Sequence, residues 1–419
     1  MLHRPSEDMR NHAAHATSHP VTGNTLTATA AQRQSDENAH VRVRLVDPPA
    51  YTPPYDHALA SALARAGVSV ELSTSRPTYE APPPAGFVLS EDFYRRSMAR
   101  HRSTRVRQAY KLGEHLPDML RHRRAGGRGI DVVHYQWLTL EALDAALLAR
   151  GVPRVFTSHN VLRRGAGRLR EQGARRIVAA SDAVVVHTAA GAREIVDRYG
   201  ADPARVKTIP HGAFDYLTKQ PDEKPLPPEL AAVEGPVILC FGVLRPYKGV
   251  DVLVDAFDGI EGAELWVVGR PWMDVEPLRA AAARVGGTVR FVDRFVAEDE
   301  LPAYFRRANV VALPYRDIDQ SGVLYTALAF GKAIVASSIG GFAEVADDHS
   351  ALVPVPPGDP DALRDALAAL VSDTAARATQ EAHAVAAAAG PYSWNEAARL
   401  TLTVYDAVVD GGPLVTPAA

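Results

Sequence analysis

The feature that most constrains this chain is a rhythm that stops once and restarts. Short runs of β-branched and aliphatic residues alternate with longer stretches of helical periodicity. VRVRLV (41–46), VSVELS (68–73), DVVHY (131–135), RVFTSH (154–159), AVVVH (183–187) and VKTIP (206–210) form a first series. PVILCFG (236–242), ELWVVG (264–269), TVRFVD (288–293), NVVALP (309–314), AIVAS (333–337) and ALVPV (351–355) form a second. Segments such as HALASALARAG, LEALDAALLAR and AAGAREIVDRYG lie between the runs and read as helices. Parallel strands need a long crossover, usually a helix, so the alternation predicts βαβ units. Strands apolar almost throughout predict sheets covered on both faces. The rhythm breaks at 216–235, where PDEKPLPPEL reads as a linker. A chain of 419 residues also exceeds the ~250–300 at which single cores stop growing. The expected architecture is α/β: two facing doubly wound, Rossmann-like domains with a cleft between them.

The expected boundaries follow. Residues 1–40 are polar and lack apolar periodicity, so they are expected to form a disordered tail. Residues 41–217 form the first domain and 218–393 the second, with a final helix over 394–411 that begins at a Ser393 N-cap.

Composition excludes several function classes. Forty-six basic against 49 acidic residues leave a net charge of −3, without the basic excess of a nucleic-acid binder. A single cysteine, Cys240, excludes a disulfide framework and a cysteine-rich metal site. No apolar run approaches the ~18 residues of a membrane span. The start, MLHRPSEDMRNHAAH, lacks the apolar core of a secretory signal, so a cytoplasmic location is expected. No HExxH or acidic cluster with convincing metal spacing is present, and no nucleophile–base–orienter trio is evident. Neither metal nor cofactor is expected.

Ligands of open α/β sheets bind beyond the carboxyl ends of the strands. After 236–241 comes FGVLRPYKG, where Gly242 permits a tight exit and Arg245 and Lys248 suit an anion or a solvated helix start. After 309–313, LPYRDIDQSGVLYTALAFGK turns helical near Ser321 and Gly322, either a phosphate-binding N-terminus or a plain cap by Asp319 or Ser321. SSIGGFAEV and VVGRP place glycines at two further strand ends, with Glu344 and with Gly269 and Arg270. In the first half, His159 and His211 stand at strand ends as cleft residues or as satisfied structural histidines. His134, Gln136 and Trp137 suit hydroxyl binding and ring stacking, Trp137 equally suits core packing, and Tyr55 follows the first strand.

In order, the segments DVVH, TSHN, VVHT, IPHG, FGVLRPYKG, LWVVG, NVVALPY, SGVLYTALAFGKAIVAS, GGFAEV and ALVPVPPGDPDAL resemble the retaining family 4 glycosyltransferases of the GT-B fold. The resemblance spans about Val41 to Val409 and is strongest over 236–356. It implies a first domain that takes the acceptor, a second that takes a nucleotide-activated sugar, and a last helix that crosses back to the first. Catalytic roles fall to Arg245, Lys248 and His159, the last orienting the sugar. Donor binding falls to Gly242, Gly269, Arg270, Asp319, Gln320, Ser321, Gly322, Val323, Thr326 and Glu344. Acceptor binding falls to Tyr55, His134, Gln136, Trp137 and His211. The chain departs from the family at three places. Val243 replaces an arginine after the first glycine of the phosphate loop, with Arg245 as the inferred substitute. Thr326 and about Ile318 replace two glutamates eight positions apart. The loop PPAYTPPYD lacks paired glycines.

The residues then allow a metal-independent transfer through an oxocarbenium-like transition state, its leaving charge met by Arg245, Lys248 and amides near Gly322. The expected function is transfer of a sugar from a nucleotide-sugar to a hydroxyl acceptor, with retention, in polysaccharide, glycolipid or other glycoconjugate synthesis. The acceptor class is a sugar, a lipid-linked sugar or a small molecule. A non-catalytic nucleotide-sugar-binding homologue and a nucleotide-sugar 2-epimerase are the alternatives; an epimerase would consume donor without acceptor. Residues 94–128 are strongly basic with interleaved apolar groups, and suit either peripheral docking on an anionic membrane or a solvated helix face.

Overall fold

The computed structural model describes residues 41–77, 82–100, 104–160, 167–318, 320–412 and 414. The expected tail over 1–40 and Asp319 lie outside these.

Seven strands form the first sheet: β1 Arg42–Asp47, β2 Ser69–Ser75, β3 Val88–Phe93, β4 Val132–Tyr135, β5 Arg154–Ser158, β6 Ala183–Val186 and β7 Val206–Thr208. Six form the second: β8 Val237–Phe241, β9 Glu264–Val268, β10 Thr288–Val292, β11 Val310–Leu313, β12 Ala333–Ser337 and β13 Val353–Val355. The orders are β3-β2-β1-β4-β5-β6-β7 and β10-β9-β8-β11-β12-β13. Every strand pair is parallel. Each order reverses once, between β1 and β4 and between β8 and β11. Those two switch points are where doubly wound sheets open a crevice at their carboxyl ends.

The interior strands are buried on both faces because helices cover both. β4, β6, β8, β11 and β12 have no exposed residue. β3 was not among the runs read from the sequence. It is an edge strand, buried only at Phe93, and its polar residues Ser90, Glu91 and Asp92 hide it from a hydrophobicity pattern. Of LEALDAALLAR, only Glu141–Asp144 is helical. The Asp144 carboxylate turns back to accept the amides of Thr139 and Leu140, which fastens the start of that segment rather than extending it.

The helix Trp394–Asp410 follows the second sheet but packs on the first. Ser393 caps it by accepting the Glu396 amide at 3.2 Å. Trp394, Ala397, Leu402 and Tyr405 share a core cluster with Val43, Leu45 and Tyr55. Full burial of each large side chain is worth about 1.5–3 kcal/mol, enough to hold the returning helix in place. The two segments that pass between the halves touch: the Ala213 amide donates to the Tyr392 carbonyl at 2.7 Å.

Candidate active site between the two sheets

A cavity of about 1560 Å³ opens between the carboxyl ends of the two sheets and draws its walls from both. On the second half, β8 ends in the loop Gly242–Gly249. Gly242 has φ +101°, and a Cβ there would lie 2.9 Å from Lys248 Nζ. Glycine is required at this position, and its lack of a side chain makes room for the ammonium. Lys248 is buried and donates to the Phe241 carbonyl at 3.2 Å, with its Nζ 5.0 Å from the Tyr315 ring centre. Burial opposes its charge, but Tyr315, Cys240 and Tyr247 together outweigh that and keep the ammonium above the ordinary lysine value. The site therefore holds a buried cation on a carbonyl, facing the cavity.

Arg245 also lines the cavity, and its guanidinium lies 4.3 Å from the ring centre of the exposed Trp272. Val243 and Val323 line the cavity beside it. Gly322 opens the helix Gly322–Ala329, which Ser321 does not cap through its side chain. The amides of Gly322 and Val323 lack intrahelical partners, and both residues line the same cavity as Lys248, while the Leu324 amide donates to the Ser321 carbonyl at 3.0 Å. Thr326 donates its hydroxyl proton to the Gly322 carbonyl at 2.8 Å, which leaves its lone pairs toward the cavity it lines. The Gln320 carbonyl accepts from the Tyr325 hydroxyl, and its Nε2 is buried with no protein partner. Ile318, where the family has a glutamate, packs on the second-half core.

On the first half, Gln136, Trp137 and His159 line the cavity. Their protons can be counted. His187 Nδ1 lies 2.9 Å from the Ile209 carbonyl, so Nδ1 carries the proton and donates. Burial lowers His187 to about 4, so its Nε2 holds a lone pair at neutral pH. That lone pair accepts from His159 Nδ1 at 3.1 Å. Burial, then the neighbouring histidines, lower His159 well below the ordinary value, so its Nε2 is an acceptor too. It sits 3.0 Å from the Gln136 amide, assigned through Oε1. A lone pair needs a donor, so the amide is turned with its NH₂ on the ring. The amide atom left without a protein partner is then the carbonyl oxygen. Gln136 is wholly buried and lines the cavity, and that oxygen has no protein partner at the cavity wall. Both ring nitrogens of His159 are engaged within the protein.

Trp137 stacks on His159 at 4.8 Å and 9°, and Tyr51 lies 4.6 Å from Trp137. Tyr51 is 66% exposed and lines the cavity. Its loop is held by Asp47, whose Oδ2 accepts the Tyr51 amide at 2.7 Å and the Thr52 amide at 3.4 Å. Trp137 Nε1 donates to the Thr52 hydroxyl at 2.7 Å. Asp47 and Asp56 are paired buried carboxyls, and the Oδ1 of each has no N–H or hydroxyl donor. Burial, then the Asp47 charge, raise Asp56 well above the usual carboxyl range, so Asp56 holds the proton and donates it.

The other sequence candidates lie elsewhere. Tyr55 is core, edge-on to His159 and Trp394. His134 is buried, with Nδ1 2.7 Å from the Tyr405 hydroxyl and Nε2 2.7 Å from that of Thr157. It ties the returning helix to the first sheet. His211 stacks on Tyr325 at 4.2 Å and 8°, at the passage between halves. Gly269 supports the phosphate loop from behind, since a Cβ there would lie 2.1 Å from the Gly242 carbonyl. Arg270 is exposed, and its carbonyl accepts the Leu244 amide at 3.0 Å. Glu344 reaches the first half and is taken up below. The sequence reading passed over Tyr51, Glu141 and Arg170, all of which line the cavity. The rule of strand carboxyl ends points to the loop that carries Tyr51, but does not tell Tyr51 from Tyr55.

Two facing parallel α/β halves, a cleft at their switch points and a helix returning to the first half define the GT-B class. Comparison with known proteins agrees. Residues 235–373 match the model for glycosyl transferases group 1, and residues 55–213 match that for glycosyltransferase family 4. A D-inositol 3-phosphate glycosyltransferase of Xylanimonas cellulosilytica is 34% identical over 68% of this chain and 73% of the relative. Its counterpart in Kineococcus radiotolerans is 30% identical over 83% of this chain and 88% of the relative. The fold resembles sucrose-phosphate synthase from Thermosynechococcus elongatus, with TM-score 0.65 and 20% identity over 89% of this chain and all of that one. It also resembles an Anabaena protein solved with UDP and glucose, with TM-score 0.61 and 17% identity over 89% of this chain and 99% of that one. The chain belongs to the family 4, group 1 glycosyltransferases and transfers a sugar from a nucleotide-sugar donor.

Proposed function

We propose that the donor is a uridine-diphosphate sugar, that its pyrophosphate rests on Lys248 and the first amides of the helix at Gly322, and that transfer proceeds with retention and without a metal. The observation that carries this reading is the buried Lys248 ammonium, held on a carbonyl and facing the cavity. Among the described residues, no group of three or more His, Cys, Asp or Glu is placed to hold a metal ion. The bond between the anomeric carbon and the leaving phosphate oxygen breaks as the acceptor oxygen bonds that carbon from the same face. The acceptor proton passes to the leaving phosphate. The cation and helix amides stabilise the charge growing on the leaving oxygen. Arg245 reaches the same phosphates by swinging off Trp272, and Gln136 and Trp137 hold a hydroxyl and a ring face of the acceptor.

The structural relative solved with UDP and glucose supports the choice of base, and the inositol-phosphate enzymes support a polyhydroxyl acceptor. A thermal-shift series with UDP, UDP-glucose and GDP tests the donor. A ligand at about 100 times its dissociation constant adds about 2.7 kcal/mol. Stabilisation by UDP ligands and not by GDP is expected; the reverse order overturns the choice. Turnover is expected to survive EDTA, and loss restored by Mg²⁺ or Mn²⁺ would overturn the metal-free mechanism. Donor binding without turnover would favour the non-catalytic reading.

The helix Thr104–Ala125 supports a peripheral membrane contact. Tyr110, Leu112 and Leu116 are 53%, 59% and 43% exposed, beside Lys111 and Arg121, while Phe93, Tyr94 and Met119 of the same segment are buried. No helix among the described residues is long and apolar enough to cross a membrane. Co-sedimentation with phosphatidylglycerol vesicles, lost in L112E and absent with phosphatidylcholine, is the expected result. Equal recovery with both lipids would exclude an anionic surface.

A further inference from the structure

Glu344 follows the paired glycines after β12, and its sequence position suggested the donor. Its carboxylate is instead spent on the other half of the molecule. Oε2 accepts the Ala189 amide at 3.0 Å, and Oε1 accepts the Ala190 amide at 3.0 Å. These are the first two residues of the helix Ala189–Tyr199, which follows β6 in the first sheet. The next amide, Gly191, is accepted by the Thr188 hydroxyl at 2.9 Å. Helix starts expose N–H groups with no partner in the helix and carry positive charge. Here one is satisfied locally and two are satisfied by a carboxylate 154 and 155 residues away in the chain.

The contact lies away in sequence from both passages of the chain between the halves, near 209–235 and 390–394. At the passages the halves are joined by covalent chain and by the Phe214 amide on the Tyr325 carbonyl at 3.3 Å. At Glu344 they are joined without covalent chain, by two charge-assisted hydrogen bonds where the helix Gly340–His349 meets the helix Ala189–Tyr199, and such bonds can be made and broken.

We infer that Glu344 is a clasp that sets the width of the cleft, and so a positioning residue for glycosyl transfer. The inference rests on the reading that transfer occurs in the cleft. Lys248 and the Gly322 amides stand on one wall, and Gln136 and Trp137 on the other. Reacting groups held by opposite walls meet only when the separation is right, and an error of about 1 Å can cost about 100-fold in rate. The bidentate contact fixes the second half against a rigid helix start, which a flexible surface ion pair does not do.

The test uses the full chain without ligand. In Glu344→Ala, hydrogen exchange at Ala189 and Ala190 should accelerate at least tenfold, while Gly191, capped by Thr188, should stay within threefold. The radius of gyration from small-angle scattering should increase. Glu344→Gln, with one acceptor oxygen, should protect one amide and restore part of the compaction. With UDP-glucose and D-inositol 3-phosphate as probes, or whichever pair the wild type turns over, kcat should fall at least tenfold in Glu344→Ala. UDP affinity by calorimetry should stay within threefold, since Lys248 and Gly322 are untouched. Equal acceleration at all three amides would mean simple fraying and overturn the clasp. Faster exchange at Ala189 and Ala190 with an unchanged radius, or with unchanged kcat, would make Glu344 a helix cap only and overturn it too. Exchange and scattering do not depend on turnover. A wild type that transfers no sugar but shows the expected exchange pattern would fail the catalytic reading and leave the clasp standing.

Discussion

Lys248 is the residue on which the chemistry turns. A buried ammonium whose acceptor is a carbonyl keeps its charge for something else, and a developing phosphate charge is the natural recipient. Lys248→Ala is expected to lower turnover at least tenfold, more than about 1.4 kcal/mol, with the melting temperature close to wild type. Wild-type rates would remove Lys248 from the site. This residue was legible in the sequence because Gly-x-x-Arg-x-x-Lys-Gly follows a strand and names its own geometry. The proton chain from Ile209 through His187 and His159 to Gln136 was not. It joins four strand ends that only the folded sheet makes neighbours. The buried carboxyl pair gives a second residue-scale expectation. Asp56 has its carboxyl raised by burial, so its share of stability is present below the ordinary carboxyl pKa and is lost as pH rises through the folded value. Asp56→Asn keeps a donor for Asp47 and removes the titration. It should raise the melting temperature at pH 8 by about 2–4 °C, the equivalent of roughly 1 kcal/mol for a domain of this size. A lower melting temperature would show that the pair is not held by one proton.

Among the elements, the returning helix Trp394–Asp410 is tied to the first sheet by a buried polar contact within an apolar seam. Tyr405 and His134 are both buried, and their bond is 2.7 Å long. Tyr405→Phe leaves His134 Nδ1 unpaired inside the core, which should cost about 1–3 kcal/mol. Urea unfolding measures it, and an unchanged midpoint would mean that the ring tautomer switches at no cost. Strands buried on both faces were legible because their residues are almost all apolar. β3 was not, because an edge strand with one buried residue has no such pattern. The segment LEALDAALLAR has helical periodicity throughout, yet its buried Asp144 is claimed by the amides of Thr139 and Leu140 and by His115 at 2.6 Å. A tertiary contact overrides local preference there.

At the scale of the molecule, the histidines of the first half govern acid stability. Burial lowers His134 and His211 to about 3 and His187 to about 4. The unfolded chain therefore takes up protons first, near pH 6.5, and stability falls as pH drops from there toward the folded values. Each such group loses about 1.4 kcal/mol per pH unit across that window. Urea midpoints should fall steeply between pH 6.5 and pH 5, and a flat profile would mean that these rings are solvated.

The chain begins and ends its described course on the first sheet, so the second half is an insertion entered and left through two segments. Those segments lie side by side, joined where Ala213 meets Tyr392. A body hung on one strand can twist and swing in any direction. A body hung on two adjacent pins behaves as a door, with one axis and one arc. Two adjacent pins favour widening and narrowing of the cleft along that arc over sliding or turning of one sheet on the other. Each opening along it returns Lys248 to face Gln136 by the same path, and a bound donor travels on a track rather than searching for its acceptor.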